Sequence, residues 1–507
     1  MEKGIRGSDG GDLQPGGDEM KKKLGWWGVI WIVVIFALFR WPYINLPLER
    51  DEGAYAYEGW IWITGRGLPY RDIYEMKPPL LNLVYGIAIG LGGNTLAAIR
   101  IFAAVYTAAV VVMFALIVRK WWGDQVMWAA GIMMALLMNS FWWGTVQFNA
   151  ESLILLPLLG AVWFMSKSFE DGKPRGWQAG LCLGLGIWIK QVGIYPAIIW
   201  GMYYWWRGKS RKLFWQLILG GVLPAVVFGA YFWYWGALGD LWENIVVFAA
   251  RSTADGFNPQ YLCQAASWSG GCLTEWLIRM PYFSGTLFGL GIAGFAAAAK
   301  KRGRPWEMGV MWVATMWLVI KGAGWKDWNH YYLLLIPGLL WGAIYLEKAA
   351  EKYSKWLMYF LAGLLVLGTV GLEWSFIAQG TRVVLAAEYG TENERLFIEA
   401  VKVAEWVKNN VDAKDKLIVW NDEAEVYFYA GKISGSKWLY YYPPMLPTMT
   451  DYKNKLTAEE LTPWPKWMIL DKSNTWGELD WIKSKIPDGS YRKVEEIGEY
   501  SIMERIN

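Results

Sequence analysis

The sequence predicts a polytopic α-helical membrane protein of about eleven spans, with a small α/β domain following the last of them. Three observations predict it. Of 507 residues 55% are hydrophobic and only 19% are charged, against roughly 25% charged in soluble chains. Apolar runs approaching the roughly 20 residues that cross a hydrocarbon core recur between residues 25 and 377. After Thr381 those runs shorten, charge rises and period-two stretches take over.

Residues 1–24 are polar and Gly-rich and end on Lys21, Lys22 and Lys23, which reads as a disordered cytoplasmic segment ahead of an uncleaved anchor at 25–44. Clear spans follow at 96–118, 126–140, 150–166, 213–237, 281–299, 306–321, 331–346 and 356–377. The remaining assignments come from charge, because short cytoplasmic loops collect Lys and Arg. Basic clusters stand at Lys21–Lys23, Arg119-Lys120, Lys167 to Arg175, Arg207 to Lys212, Lys300 to Arg304 and Lys348 to Lys355. With all of them cytoplasmic, neighbouring clusters are separated by an even number of crossings. The segment Pro78 to Gly93 is then a juxtamembrane helix in a first external loop of residues 45–95. By the same parity 177–206 goes out and back in two short or tilted spans, with Lys190-Gln191 at the external turn. The amino terminus lies inside, and the carboxyl-terminal domain lies outside the cell membrane.

That domain, residues 381–507, is expected to hold strands at 416–420, 425–430 and 466–471. A helix is expected over Glu392 to Asn410, where Phe397, Ile398, Val401, Val403, Ala404 and Val407 make one apolar face. No catalytic motif is visible in it, so a cover over the acceptor side or plain stabilisation is the expected role. Cys182 reads as core. Cys263 and Cys272 share an external loop, where an oxidising compartment permits a disulfide between them. The net charge of +4 lies mostly in the cytoplasmic loops, and nothing points to nucleic acid.

The informative stretch is 47–80, an acidic loop rich in Gly and Tyr and too polar for lipid, set between membrane-grade segments. It carries Arg50-Asp51-Glu52-Gly53, then Tyr55, Gly59, Gly65, the run Leu68 to Asp72 and Lys77-Pro78-Pro79-Leu80. In order and spacing this resembles the first external loop of the GT-C glycosyltransferases, in the branch that includes protein O-mannosyltransferases and the aminoarabinose transferases of lipid A. Weaker echoes of the resemblance extend to about residue 337.

The resemblance implies a GT-C-like fold with juxtamembrane helices in the first external loop. It also implies an inverting transfer of a monosaccharide from a polyprenyl-phosphate donor to a hydroxyl of a protein, glycan or lipid acceptor on the extracytoplasmic face. Such a transfer needs a base for the acceptor, a positive clamp on the departing phosphate and an apolar groove for the carrier. Asp51 matches the family's first-loop carboxylate, and Glu52 beside it is the second catalytic candidate. Lys77, held before Pro78-Pro79, is placed to clamp phosphate, against the alternative of interfacial snorkelling. Lys190, Arg100 and His330 are further candidates for phosphate; Glu151, Asn149, Tyr55 and Gln191 are candidates for acceptor or sugar. Each has a plainer reading as an anchor, a structural pair or interfacial packing. The 38 Trp are mostly interfacial, with Trp60 and Trp62 alone worth watching as sugar contacts.

Metal chemistry has thin support, since the chain has one His and no Cys-x-x-Cys spacing. In the aminoarabinose-transferase branch a Glu directly precedes the matching Lys; here Met76 does, with Glu75 one step earlier. The metal site is therefore left unassigned, with a divalent ion still compatible. A transporter or flippase of lipid-linked sugars is the alternative from another class. It would place paired charges or broken helices near the bilayer midplane, whereas the candidates here gather at one outer interface.

Overall fold

A computed structural model describes residues 15–256 apart from 142, then 285–300, 302–322, 328–350, single positions between 356 and 371, 398–420, 423–441, 450–460, 463–472 and 478–506. The expected disulfide partners Cys263 and Cys272 lie outside the described residues.

The chain runs through α1 (Pro15–Arg40), α2 (Arg50–Ile63), α3 (Pro79–Gly92), α4 (Leu96–Trp122), α5 (Asp124–Leu137), α6 (Ala150–Asp171), α7 (Gly176–Ile189), α8 (Ile194–Gly208) and α9 (Arg211–Tyr234). Short helices α10 (Leu238–Trp242) and α11 (Ala249–Gly256) flank a π-helical turn. They are followed by α12 (Gly285–Ala297), α13 (Arg304–Lys321) and α14 (Ile336–Ala350), the last led in by a 3-10 stretch at Asn329–Leu335. Among the described residues five helical stretches are long and apolar enough to cross a membrane: Trp26–Tyr43, α4, α6, α9 and Asn329–Ala349. The shorter α5, α7, α8, α12 and α13 occupy the other expected spans, except 356–377, which lies mostly outside the described residues.

Small residues let α7 pack tightly on α9. Gly176, Gly180 and Gly184 of α7 lie against Leu213, Leu217 and Gly221 of α9 so closely that a Cβ would strike backbone. Small residues at a spacing of four bring two membrane helices together in this way. The opposite side of α9 exposes Trp215, Leu219, Val222, Val226, Trp233 and Tyr234. Trp215 and Trp233 stand about 27 Å apart at 1.5 Å per residue, near the ~30 Å of a hydrocarbon core, with aromatics at both edges as lipid interfaces favour.

The first loop carries two helices, α2 and α3. Glu49 caps α2 in a capping box with Glu52. α3, the expected juxtamembrane helix, opens after Pro78 and packs along α2 through Gly59 and Gly86.

The carboxyl-terminal domain comprises α15 (residues 398–410), β1 (Leu417–Trp420), α16 (Glu425–Ala430), α17 (Thr450–Glu460), β2 (Trp467–Asp471), α18 (Glu478–Lys483), β3 (Tyr491–Ile497) and β4 (Tyr500–Arg505). The sheet order is β1-β2-β4-β3, with β1 parallel to β2 and the rest antiparallel. β1 and β2 match the sequence expectation. The segment 425–430, expected as a strand, is instead helix α16, closed by Gly431 at φ +64°. Its run of large apolar side chains is buried on every side, so no period-two pattern distinguished strand from helix.

Candidate active site

α2 begins just beyond the carboxyl-terminal end of α1, and its first turn decides what each motif carboxylate does. Asp51 and Glu52 are about 100° apart around the helix, so they face different surroundings. Glu52 turns into the bundle and is fully buried. Its Oε1 accepts from Arg100 Nη1 at 2.6 Å and from the Phe148 amide at 2.7 Å; its Oε2 accepts from Arg100 Nη2 at 2.8 Å and from the Glu49 amide at 3.0 Å. Arg100 also donates to the carbonyls of Leu46 and Pro47. The geometry thus ties Glu52 and Arg100 to each other and to backbone, locking α2 to α4.

Asp51 faces the other way. It lies deep within the protein yet keeps 32% of its side chain open, as a group lining a cavity does. Its Oδ2 accepts from the Tyr55 hydroxyl at 3.1 Å and pairs with Lys77 Nζ at 3.4 Å; its Oδ1 accepts from the Tyr440 hydroxyl at 3.3 Å. The Tyr55 ring lies 4.6 Å from the same ammonium. Burial alone would raise the Asp51 carboxyl, but Lys77, His330 and the hydrogen bonds from Tyr55 and Lys77 outweigh it and hold it below the ordinary carboxylate range.

The backbone presents Lys77 rigidly. Its amide donates to Glu75 Oε1 at 2.9 Å and its carbonyl accepts from the Tyr70 hydroxyl at 2.8 Å. Tyr70 adopts φ +72°, rare for a non-glycine residue, and its ring packs on Phe232 of α9. Gln191, expected at a substrate, instead donates to the carbonyls of Met76 and Ile245, bracing the residue before Lys77. Beneath Lys77, Glu75 and Glu58 are buried together. Burial raises both carboxyls, Glu58 the more because Glu75 beside it adds to the effect, whereas Lys77 and a hydrogen bond with Glu58 draw Glu75 part of the way back down.

A second carboxylate–lysine pair faces the first. Glu151, in the opening turn of α6, pairs with Lys190 at the turn between α7 and α8, where the sequence placed it. Lys190 Nζ lies 4.1 Å over the Tyr331 ring, and His330 Nε2 lies 4.0 Å from Glu151 Oε1. Gly144, at φ +61°, lets the preceding loop pass against His330, where a Cβ would come within 2.7 Å. Asn149, the residue before α6, is buried with its Oδ1 unpartnered. His330 and Asp51 are close enough to act on each other's ionisation, as are Glu151 and Tyr55, so both pairs line one site. Among the described residues no group of three His, Cys, Asp or Glu could hold a metal ion.

Two contributors were missed by the sequence reading. Tyr331 directly follows the candidate His330. Tyr440 lies in a Tyr-Tyr-Tyr-Pro-Pro run of the carboxyl-terminal domain, and nothing local marked it. Trp60 and Trp62 pack inward and sideways: Trp62 donates to the Tyr231 hydroxyl at 2.7 Å, and Trp60 meets Arg66.

Over nearly its full length the structure superposes on ArnT from Cupriavidus metallidurans bound to undecaprenyl phosphate, with a TM-score of 0.61 at 14% identity, covering 97% of this chain and 99% of that one. The chain has the GT-C fold. The oligosaccharyltransferase of Archaeoglobus fulgidus tethered with an acceptor peptide shares this GT-C fold with a TM-score of 0.52 at 14% identity, covering 96% of this chain and 74% of that one. In sequence, residues 76–235 match the family described as dolichyl-phosphate-mannose-protein mannosyltransferase. Residues 398–504 match the competence-induced protein Ccs4 C-terminal domain. No curated protein matches the chain in sequence.

Proposed function

We propose that this protein is a membrane glycosyltransferase that moves a monosaccharide from a polyprenyl-phosphate carrier to an acceptor hydroxyl on the extracytoplasmic face, inverting the anomeric centre. The observation that carries the reading is the Asp51–Lys77 pair: a carboxylate held ionised and an ammonium 3.4 Å apart, both partly open. It stands on a fold shared with a protein bound to undecaprenyl phosphate. Lys190 and His330, gathered at Glu151, form a second wall of the same site in this reading.

Chemically the two walls divide the work. Lys77 and Lys190 neutralise the charge that grows on the carrier phosphate as the glycosidic C–O bond breaks. Asp51 takes the proton of the acceptor hydroxyl as its oxygen bonds to the anomeric carbon from the face opposite the phosphate. Glu151 holds Lys190 in place and faces His330. The tyrosines around each pair supply hydrogen bonds and ring faces without adding charge. Water-poor walls make each of these interactions stronger than in bulk solvent.

A panel of polyprenyl-phosphate hexoses and pentoses, incubated with the purified protein and candidate acceptors, tests the reading. Asp51→Asn should lower turnover by roughly 100- to 10,000-fold, as loss of a general base does, while undecaprenyl phosphate still binds. Lys77→Ala should weaken that binding, and Lys77→Arg should keep part of it. Turnover of Asp51→Asn within a few-fold of the parent would remove Asp51 as the base. Carrier affinity unchanged in both Lys77 variants would remove the clamp.

A further inference from the structure

Among the described residues the carboxyl-terminal domain reaches the Asp51–Lys77 pair through Tyr440. After α16 the chain returns along the first loop. The Tyr74 amide donates to the Lys437 carbonyl at 2.6 Å, Tyr74 bridges Trp438 in parallel register, and their rings stack at 4.1 Å and 10°. Two residues beyond Trp438 that register delivers Tyr440 to the pair formed by Asp51 and Lys77. There Tyr440 repeats what Tyr55 does from the membrane domain. Tyr55 donates to Asp51 Oδ2 and sets its ring 4.6 Å from Lys77 Nζ; Tyr440 donates to Asp51 Oδ1 and sets its ring 5.6 Å from the same nitrogen. Both tyrosines are buried.

A ring face holds an ammonium by its quadrupole and leaves the positive charge intact. A second carboxylate in the same place would cancel that charge. An ammonium that must meet a phosphate is therefore better steadied by aromatic faces than by further acids.

We propose that Tyr440 is a positioning residue through which the carboxyl-terminal domain completes the site, steadying Lys77 between two ring faces where a carrier phosphate binds. The inference rests on the reading of Lys77 as a phosphate clamp given above. It makes the domain part of the binding machinery, where the sequence suggested a cover or a brace.

The test is a double-mutant cycle on the full-length protein in detergent, reading the affinity for undecaprenyl phosphate, with undecaprenol as the uncharged control. Tyr440→Phe keeps the ring and should bind within about twofold of the parent. Tyr440→Leu should weaken binding by about three- to tenfold, the range of a partly buried cation–π contact. In a Lys77→Met background the same change should cost nothing further, because an effect that acts through Lys77 vanishes with it. Undecaprenol binding should be unmoved in every variant. Tyr440→Met, closer to tyrosine in length, replaces the leucine variant if that protein does not purify folded.

Additive losses, or an equal loss for undecaprenol, would overturn the inference and leave Tyr440 a packing residue. So would normal binding by Tyr440→Leu while Lys77→Met is impaired. Normal binding by Lys77→Met alone would overturn the clamp reading itself, and this inference with it.

Discussion

Asp51 and Glu52 are adjacent in sequence and opposite in circumstance. Asp51 is held ionised because Lys77, His330 and its hydrogen bonds outweigh burial. Its folded pKa is depressed, so its contribution to stability is full above the unfolded value of about 3.9 and is lost as pH falls through the lower folded one. The acid limb of activity should lie on the same side. Lys77→Met removes the largest stabilising charge and leaves His330 and the Tyr55 hydrogen bond against burial, so the acid limb of residual turnover should move to higher pH. A limb that stays in place would show that Lys77 does not set the acidity of the base. Glu52 is a different case, since Arg100→Met would leave its buried carboxylate without a cation. Removing one partner of a buried pair costs about 3–5 kcal/mol, so Arg100→Met should lower the thermal unfolding midpoint far more than Lys77→Met does, as read by differential scanning in detergent. The sequence named both acids and both cations, but not the partition among them. That partition depends on α2 being helical from Arg50, whereas a loop would have left the two directions open.

Among the elements, α2 is the one whose motif glycines acquire a reason. A Cβ on Gly53 would fall 2.5 Å from the Glu425 Cβ and 2.8 Å from its amide; a Cβ on Gly59 would fall 2.5 Å from the Gly86 amide and 2.7 Å from the Asn82 carbonyl. Gly59 thus lets α3 lie against α2, and Gly53 lets α16 of the carboxyl-terminal domain do the same. The obstacle at Gly59 is backbone, which yields less readily than a side chain. Gly59→Ala should therefore cost about 1–3 kcal/mol, the range for overpacking, lowering the unfolding midpoint. Gly53→Ala should instead increase protease cleavage within residues 381–507 while the membrane helices stay intact. An unchanged midpoint for the first, or an unchanged digestion pattern for the second, would contradict these assignments. The sequence made the helices of the bundle legible because long apolar runs have few other destinations. It misread 425–430 because a six-residue segment buried on all sides carries no periodicity, and its contact with α2 decides its conformation.

Across the whole molecule, the contacts tie the site, the first loop and the carboxyl-terminal domain to one side. Asn94 Nδ2 donates to the Phe428 carbonyl at 3.2 Å, Tyr57 accepts from the Ser434 amide at 2.8 Å, and Arg50 pairs with Glu423 at 2.9 Å. Gly172 lies at the far end of α6. In a Cys-free background, Asn94→Cys and Ala413→Cys should both react with a membrane-impermeant thiol reagent added outside, and Gly172→Cys only after the membrane is opened. Reaction of the first two from opposite faces would break the single-sided arrangement. The charge rule predicts the same sidedness from the sequence, because basic clusters recur at alternate turns, and the labelling pattern tests it. It could not reveal that a tyrosine near the end of the chain meets an aspartate near its beginning, since nothing local records so distant a neighbour.

The hydrogen bond from Tyr440 to Asp51 spans 389 positions of sequence, and this has a consequence in time. A ribosome adding roughly 5–20 residues per second finishes Asp51 some 20–80 s before Tyr440. Through that interval the bundle is being threaded into the bilayer with half of its lysine cradle missing. On the proposed reading of Lys77 and Tyr440, the bundle would gain its full grip on phosphate only once the last domain has docked.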